Sequence, residues 1–355
     1  MASRERAAFL LRDQAAYCAA MGSPLYAELL EQAAVDAEAG GPVHALLEPF
    51  DAPNLRADAL ALRLMAAVHR LVLIGDAKHL GAFYPSAGGS ADREGAWGAF
   101  REVVAEQAER LGPLVAVPCQ TNEVGRCAPL SFGFLELAER YRLPLRMLEV
   151  GASAGLNLRF DRYRYGGGGA AWGPPDSPVD LSGMWLDAPQ HLPDALRVVE
   201  RRGCDRRPID ITSAEGRLQL ESSLWADQTT RLERLRGAFE VAASEPASVE
   251  HASVETWLRQ VLAEPRAGVT TVVYHAIVYE YFSDAVRRAF HAALESAGAS
   301  ATLDAPLAWL RFEATPATRG YAATLTTWPG GEERVVATAG AHGSDVRRPS
   351  GIATP

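Results

Sequence analysis

The chain has 355 residues, of which 48% are hydrophobic and 22% charged, and its formal net charge is -9 at pH 7. This composition is typical of a globular protein with a normal core, and the length allows two modules or one domain with a large extension. The negative charge argues against nucleic acid as the main partner, because phosphate binding depends on clustered lysine and arginine.

The sequence contains no pattern typical of a targeting signal or a metal site. The first residues, MASRERAAFLLRDQ, are charged throughout, unlike a signal peptide, and no apolar run reaches the length of a membrane span. The cysteines lack C-x-x-C spacing and the histidines lack H-x-x-x-H spacing, so reduced thiols and no metal are predicted. We expect a cytoplasmic protein without a membrane partner, and a homodimer is compatible with this sequence.

Residues 1–143 carry helical patterns. Apolar residues recur at three- and four-residue steps, and Gly75 follows the longest apolar stretch, where a helix is expected to end. The predicted helices cover 24–39, 58–74, 95–110 and 128–141. The sequence therefore predicts an all-helical N-terminal domain that acts as a lid.

Strands and helices alternate from residue 144 to residue 345. The predicted strands lie at 144–150, 197–205, 247–252, 270–275, 306–314, 320–328 and 333–340, with helices at 226–243, 253–263 and 283–297. This order indicates a doubly wound α/β sheet that ends in an antiparallel edge hairpin. Residues 166–190, rich in Gly, Pro and Trp, are interpreted as a linker inside an insertion at 160–195, and 346–355 as a flexible tail.

The segment Leu148-Glu-Val-Gly-Ala-Ser-Ala-Gly-Leu-Asn157 is the strongest candidate for a ligand site. A predicted strand stops at its first glycine, and small residues let backbone N–H groups and a following helix approach a ligand. The G-x-x-x-G spacing fits neither the dinucleotide fingerprint nor a phosphate loop of the Walker type. The alternative is a tight turn without a ligand. The predicted binding residues are Glu149, Gly151, Ala152, Ser153, Gly155 and Asn157.

An acid follows the second predicted strand. A carboxylate at this position can accept hydrogen bonds from both hydroxyls of a ribose. Asp205 fits this role, although it lies farther from Gly155 than the ~20 residues of a compact unit. Asp210 is the competing candidate, and a plain surface acid is the alternative.

Aromatic residues and one imidazole cluster at the end of the fourth predicted strand. His275 is a candidate general base near neutral pH, and the rings of Tyr274 and Tyr279 can attract a cationic group. The alternative is that Tyr279 and Tyr281 pack against the start of the next helix. The predicted catalytic residues are His275, Tyr274 and Tyr279.

Gln120-Thr-Asn-Glu-Val-Gly-Arg126 is a dense polar run between apolar helices. Buried polar groups need partners, so the run lies on the surface or lines a site. As a lid it would hold the zwitterionic end of a ligand. The alternative is a helix N-cap by Thr121 or Asn122. The predicted binding residues are Gln120, Asn122, Glu123 and Arg126.

Two resemblances bear on these motifs. The first resemblance rests on four elements: Gly22-Ser-Pro-Leu-Tyr26, the 120–126 run, Glu149-Val-Gly-Ala-Ser-Ala-Gly-Leu-Asn157 with Asp161-Arg-Tyr163, and Trp225-Ala-Asp-Gln228 with Arg231. Together they resemble a bacterial family of uncharacterised proteins, a domain of unknown function. This family resemblance spans nearly the whole chain and implies no established activity. Residues 145–340 resemble class I methyltransferases more loosely, because an acid stands two residues before the first glycine of the loop.

The second resemblance implies a Rossmann-like sheet that binds S-adenosylmethionine. The glycine loop would hold the amino-acid part of this cofactor, Asp205 the ribose, and the His275 strand end the sulfonium. Where methyltransferases often place an acid for the adenine amine, this chain has Glu250-His-Ala-Ser-Val-Glu255. Ser253 or Glu255 substitutes for that acid, or packing alone holds the adenine.

Three functions follow as hypotheses. The first is transfer of the cofactor's methyl group to a small molecule. The second is attack at the aminocarboxypropyl carbon with release of methylthioadenosine, including cyclisation to azetidine-2-carboxylate, a closed reaction that a helical lid over the site would suit. The third is a non-catalytic protein that senses the cofactor or serves as a scaffold.

Overall fold

The computed structural model describes residues 3–50, 59–90, 92–315 and 320–349. The chain forms two compact units, one of 1–121 with 212–233 and one of 122–211 with 234–355. This division differs from the predicted border between 143 and 144. The fourth predicted helix belongs to the second unit, and a later segment of the chain returns to complete the first.

Each predicted helix range overlaps an observed helix, and the structure adds further helices that were not predicted. The observed bounds are α1 Arg4–Ala20, α2 Pro24–Glu38, α3 Pro42–Leu47, α4 Leu60–Leu73, α5 Lys78–Gly81, α6 Ala96–Glu106, α7 Ala108–Ala116, α8 Cys127–Tyr141, α9 Ala214–Ser222, α10 Thr229–Ser244, α11 Val254–Val261 and α12 Asp284–Ala299. After α4, Gly75 adopts a positive φ of 82°, as a glycine that ends a helix commonly does. Within the described ranges, no helix is both long enough and apolar enough to cross a membrane.

The helical unit joins two of the sequence motifs, which lie about 200 residues apart. Both oxygens of Asp227 accept hydrogen bonds at the start of α2, one from Ser23 Oγ at 2.5 Å and one from the Leu25 N–H at 3.0 Å. Gln228 Nε2 donates to the Met21 carbonyl at 2.8 Å. The ring of Trp225 lies 6.3 Å from that of Tyr26, inside the apolar core of this unit. The 225–228 segment therefore holds the N-terminus of α2.

The second unit contains a seven-stranded, mostly parallel sheet. Its strands are β1 Leu145–Val150, β5 Val198–Asp205, β6 Ser248–His251, β7 Thr270–Ala276, β8 Leu307–Thr315, β9 Gly320–Trp328 and β10 Glu332–Ala339. The order across the sheet is β10-β9-β8-β7-β1-β5-β6, and β9 pairs antiparallel with both of its neighbours. Every residue of the central strand β1 is buried, as expected for a parallel strand with both faces covered. The predicted strands and edge hairpin are confirmed.

A smaller sheet interrupts the chain between β1 and β5. Its strands are β2 Arg164–Gly167, β3 Ala170–Trp172 and β4 Asp180–Trp185, in the order β3-β2-β4. The interpretation of 166–190 as a linker was wrong, because its glycines and prolines lie in and between short paired strands. The predicted flexible tail also begins too early. Val346 is fully buried and forms a bridge with Trp185.

Helices cover both faces of the large sheet. On one face α8 contacts β8, β9 and β10, and its Phe134 packs edge-on against Tyr274 of β7. On the other face α11 and α12 bury Trp257 and Phe290 against Leu148 and Val273. The segment after β1 is a kinked 3-10 turn, Leu156–Arg162, and not the predicted α-helix. No α-helix lies between β1 and β5 in the residues 145–205, all of which the structure describes.

Candidate functional site

The candidate site lies at the carboxyl edge of the large sheet. β1 pairs with β5 on one side and with β7 on the other, and all three strands are parallel. After β1 the chain proceeds to β5, whereas after β7 it proceeds to β8 on the opposite side. Such a reversal opens a crevice beyond the carboxyl ends of the strands, where α/β sheets commonly bind ligands. The glycine loop 151–155 follows β1 at this point.

The backbone N–H groups of the glycine loop all have acceptors within the protein. Gly151 and Ala152 donate to the Cys204 carbonyl at 2.9 and 3.1 Å, and Gly155 donates to the Ala152 carbonyl at 2.7 Å. The remaining donors, at residues 153, 154 and 156, meet side-chain oxygens of Asp205 and Asn122 at 2.8–3.2 Å. The predicted cradle of open N–H groups for a ligand is therefore not what the structure shows.

The loop glycines are required by close side-chain neighbours. A Cβ added at Gly151 would lie 2.6 Å from Val278 Cγ2, and one added at Gly155 would lie 2.8 Å from Val249 Cγ2. Both glycines also have positive φ angles, near 70°. A Gly151→Val change would disturb packing against Val278 whether or not a ligand binds there.

Ser153 is the unusual residue of the loop. Its φ of 53° lies in the left-handed region, which costs a non-glycine residue about 1–3 kcal/mol. The residue is 6% exposed, and its Oγ has no hydrogen-bond partner among the described residues. A buried hydroxyl without a partner costs a further 1–3 kcal/mol or so. Two unfavourable features at one loop residue point to a functional role.

Asp205 ends β5 beside this loop. One carboxylate oxygen accepts the Ser153 N–H at 2.8 Å, and the other accepts the Arg207 N–H at 2.7 Å. The predicted neighbourhood of acid and glycine loop is thus present in the structure. Asp210, the competing candidate, is exposed in the turn beyond β5.

The predicted lid residues divide between the two units. Gln120 belongs to the helical unit, whereas Asn122, Glu123 and Arg126 belong to the sheet unit. Asn122 Oδ1 accepts the Ala154 and Leu156 N–H groups at 3.2 and 3.0 Å, and Glu123 accepts the Gly125 N–H at 3.2 Å. Asn122 and Glu123 are buried, so they stabilise the glycine loop and their own turn.

Arg126 joins two further loops. Its Nη1 donates to the Ala276 carbonyl at the end of β7, at 3.1 Å, and its Nε donates to the Ala341 carbonyl at 3.3 Å. His342, the neighbour of Ala341, is half-buried. Arg126 thus joins the end of β7 to the loop after β10.

A buried polar cluster lies beneath the loop. Glu149 is 3% exposed and accepts a hydrogen bond from the Tyr274 hydroxyl at 3.2 Å on the adjacent strand. Burial raises the pKa of Glu149 to about 8, although hydrogen bonds from Tyr274 and Asn157 oppose the shift. Asn157 is also buried and contacts the Cys127 thiol. Glu149 and Tyr274 thus bond to each other and Asn157 contacts Cys127, so the predicted ligand-binding groups already have partners within the protein.

His275 is fully buried between two partners. The Trp309 indole N–H donates to His275 Nε2 at 3.1 Å, and an indole can only donate. His275 Nε2 is then an acceptor, so Nδ1 carries the proton and donates to Glu313 at 2.6 Å. Both ring nitrogens are used, which contradicts the predicted role of His275 as a general base.

Glu313 of β8 holds the loop after β7. Besides His275 it accepts the Val278 and Tyr279 N–H groups at 2.9 and 3.2 Å. Burial alone would raise the pKa of Glu313, but the His275 contact and these N–H groups keep it below its usual value. Glu313 and Trp309 were not predicted from the sequence. The period-2 pattern of β8 gives no signal that their side chains meet His275, more than 30 residues earlier.

Tyr279 is half-buried, and protein groups already contact its ring and hydroxyl. The hydroxyl pairs with His291 Nε2 at 2.8 Å, and the Arg287 guanidinium carbon lies 4.9 Å from the ring centroid. The cation over this ring is therefore an arginine of α12. Ser253 lies just before α11, and Glu255 lines a cavity at the opposite edge of the sheet.

These features define a mixed α/β protein with a helical N-terminal region and a candidate ligand site at the carboxyl edge of a mostly parallel sheet. The chain belongs to the family described as "Uncharacterized protein conserved in bacteria (DUF2332)", which matches residues 8–348. The predicted membership in a bacterial family of uncharacterised proteins is confirmed. Searches of curated proteins and of solved structures gave no match.

Proposed function

We propose that the chain binds S-adenosylmethionine at the carboxyl edge of its sheet and uses it in a transfer to a small molecule, with methyl transfer as the default reaction. The fold we propose is Rossmann-like, of the class I methyltransferase type. The proposal rests on Ser153, which has a left-handed backbone, an N–H bonded to Asp205, and a buried hydroxyl without a partner among the described residues. It lies at the strand reversal where such sheets bind cofactors.

The residues of the crevice fit the cofactor in part. Asp205 would accept hydrogen bonds from ribose hydroxyls in addition to its backbone bonds, since a carboxylate has about four acceptor positions. Ser153 Oγ would bond to a polar atom of the same molecule. The N–H groups of residues 151–156 would form no direct hydrogen bonds to the cofactor, because each already donates to an acceptor within the protein. Asn122 would act by fixing the shape of the loop.

The bound cofactor would supply an electrophilic carbon next to a sulfonium. His275 does not serve as the base, since both of its nitrogens are bonded. An acceptor that is nucleophilic without help, such as a thiolate or a neutral amine, fits this arrangement. In the transfer the acceptor forms a bond to the methyl carbon, the methyl–sulfur bond breaks, and sulfur keeps the electron pair. An amine acceptor then releases its proton to water.

The bonded nitrogens of His275 also suit a second candidate reaction, in which the nucleophile belongs to the cofactor itself. The cofactor contains a primary amine, which needs no further acceptor site. Attack of this nitrogen on the γ-carbon would break the carbon–sulfur bond, leave the electron pair on sulfur and release methylthioadenosine. The nitrogen would lose its proton to water, and the remaining product would be azetidine-2-carboxylate.

One experiment separates these proposals. The purified chain is titrated with S-adenosylmethionine by calorimetry and then incubated with it, alone and with candidate amines and thiols, before mass spectrometry. Methylthioadenosine without an added acceptor supports the cyclisation, and S-adenosylhomocysteine that requires an acceptor supports methyl transfer. Binding without turnover supports a non-catalytic protein. Absence of binding would refute the cofactor assignment altogether.

Asp205→Asn and Asp210→Asn form a matched pair for the ribose contact. The first change is expected to weaken cofactor binding at least tenfold, because a charge-assisted hydrogen bond contributes ~1.5–3 kcal/mol. The second changes an exposed acid in the turn beyond β5 and should leave the affinity unchanged. Melting temperatures of both variants check that the Asp205 change has not unfolded the loop. Equal affinities would exclude Asp205 as a ligand.

A further inference from the structure

A cavity of about 550 Å³ lies at the opposite, amino edge of the large sheet. It opens between α11 and α12, above Arg146 of β1, Thr271 of β7 and Leu307 of β8. Ligand sites for small molecules commonly have volumes of roughly 300–1,000 Å³. The cavity is separate from the glycine loop, which follows the carboxyl end of β1.

The walls of the cavity combine small apolar residues with a few charges. α12 contributes a row of alanine and serine side chains, and Leu262 and Leu307 add larger apolar surface. The small side chains leave room for a branched aliphatic group. The charged residues of the lining are Arg146, Glu255, Arg259, Glu264 and Arg266.

The arginines of the cavity differ in their partners. Arg146 and Arg266 share a single carboxylate, that of Glu200. Arg259 forms no ion pair with any described residue, and its Nε donates to the backbone carbonyl of Glu255 at 3.1 Å. An anionic group entering the cavity would meet the Arg259 guanidinium, which binds carboxylates through paired N–H groups.

Glu255 lies one turn before Arg259 on the same helix. Its Oε2 atom is buried and has no hydrogen-bond partner among the described residues. A buried carboxylate oxygen needs a donor, and a ligand can supply one. Residues four apart on a helix present their side chains about 5–6 Å apart at Cβ. This spacing suits a donor and a carboxylate on one small molecule.

We propose that this cavity binds a small α-amino acid with an aliphatic side chain, as a second ligand site independent of the proposed cofactor site. Arg259 receives the carboxylate, Glu255 receives the ammonium group, and the alanine row of α12 contacts the side chain. An α-hydroxy acid offers the same carboxylate and donor, so the two must be compared directly.

Calorimetry on the full chain with L-leucine, its α-hydroxy acid analogue and its decarboxylated amine tests the proposal. L-leucine is expected to bind best, the hydroxy acid more weakly because it lacks the charge for Glu255, and the amine not measurably. Tighter binding of the hydroxy acid would overturn the amino-acid assignment. Equal binding of the amine, or no binding by any probe, would overturn the site.

Single substitutions test whether leucine binds in this cavity. Arg259→Gln is expected to weaken leucine binding at least tenfold, whereas Arg288→Gln, an exposed arginine of α12 outside the lining, should not change it. Ser296→Phe places a ring in the cavity from an exposed position and should also abolish binding. Ser153→Ala should leave leucine binding intact, which separates this site from the proposed cofactor site. Unchanged affinity in both Arg259→Gln and Ser296→Phe would refute the assignment.

Discussion

Ser153 combines a left-handed backbone with a buried hydroxyl that has no partner among the described residues. If the hydroxyl serves only the ligand, Ser153→Ala should weaken S-adenosylmethionine binding about 3- to 10-fold, the range expected for one neutral hydrogen bond. The same change should leave the free energy of unfolding unchanged or raise it by up to about 1 kcal/mol, because it removes an unsatisfied polar group. Calorimetry and urea unfolding measure the two effects.

Ser248→Ala is the control for this change. Ser248 is exposed at the start of β6, the edge strand of the large sheet. It should alter neither affinity nor stability. If Ser153→Ala destabilises the protein by more than 1 kcal/mol or so, its hydroxyl has a structural partner and the ligand explanation fails.

Glu149 gives the fold a pH dependence whose sign follows from its raised pKa. Burial raises the pKa of Glu149 to about 8, above the value of about 4.3 for an exposed glutamate. Between these values the unfolded chain has released this proton and the folded chain has kept it, so the contribution to stability falls as pH rises. The slope is at most about 1.4 kcal/mol per pH unit.

Glu149→Gln should remove this slope. Urea unfolding between pH 5 and 8, roughly the window between the two pKa values, is expected to show a stability that falls less steeply with pH than that of the unchanged chain. Glu240→Gln, at an exposed position of α10, should leave the slope as it was. Identical slopes in all three proteins would mean that Glu149 is ionised in the folded state.

At the scale of elements, Asp227 acts as a cap for α2 from a distant part of the chain. Both of its oxygens receive hydrogen bonds at the helix start. Loss of a helix N-cap costs about 0.5–2 kcal/mol, so Asp227→Ala should lower the free energy of unfolding by about 1–2 kcal/mol. Asp13→Ala, an exposed acid of α1, is the control and should change it little. An unchanged stability in Asp227→Ala would show that α2 does not depend on this contact.

Several strands of the large sheet were predictable as short apolar runs bounded by turn residues. β1 and β7 are examples, and each was placed within one residue or so of its observed bounds. The small sheet β2–β4 was missed, because its strands contain glycines that propensity assigns to turns. The 3-10 turn after the glycine loop was taken for an α-helix, since a strand followed by a glycine turn usually leads into one.

The candidate site was predictable as a neighbourhood but not as a set of contacts. The carboxyl ends of adjacent parallel strands meet at one edge, so Asp205 and the glycine loop could be placed together from strand order alone. The directions of the side chains could not be predicted in this way. His275 and Glu149 were expected to face a ligand, yet partners on adjacent strands, Glu313 and Tyr274, bind them inside the fold.

At the scale of the whole molecule, the helical unit is assembled from two separate stretches of chain. Trp225 and Ala226 belong to the same apolar core as α1, α2 and α4. A fragment of residues 1–121 should therefore lack part of its core and unfold without a cooperative transition. A peptide of residues 212–233 added in trans should restore cooperativity, as followed by circular dichroism. A peptide with Trp225→Ala should restore it less, and full cooperativity of the fragment alone would contradict this account.

The return of 212–233 to the helical unit sets an order of events during synthesis. The ribosome must add roughly a hundred residues after position 121 before the missing part of the first core exists, which at 5–20 residues per second takes about 5–20 s. During that interval the first helices leave the exit tunnel with apolar surface uncovered. We therefore expect synonymous codons that slow translation between residues 122 and 233 to lower the yield of native protein.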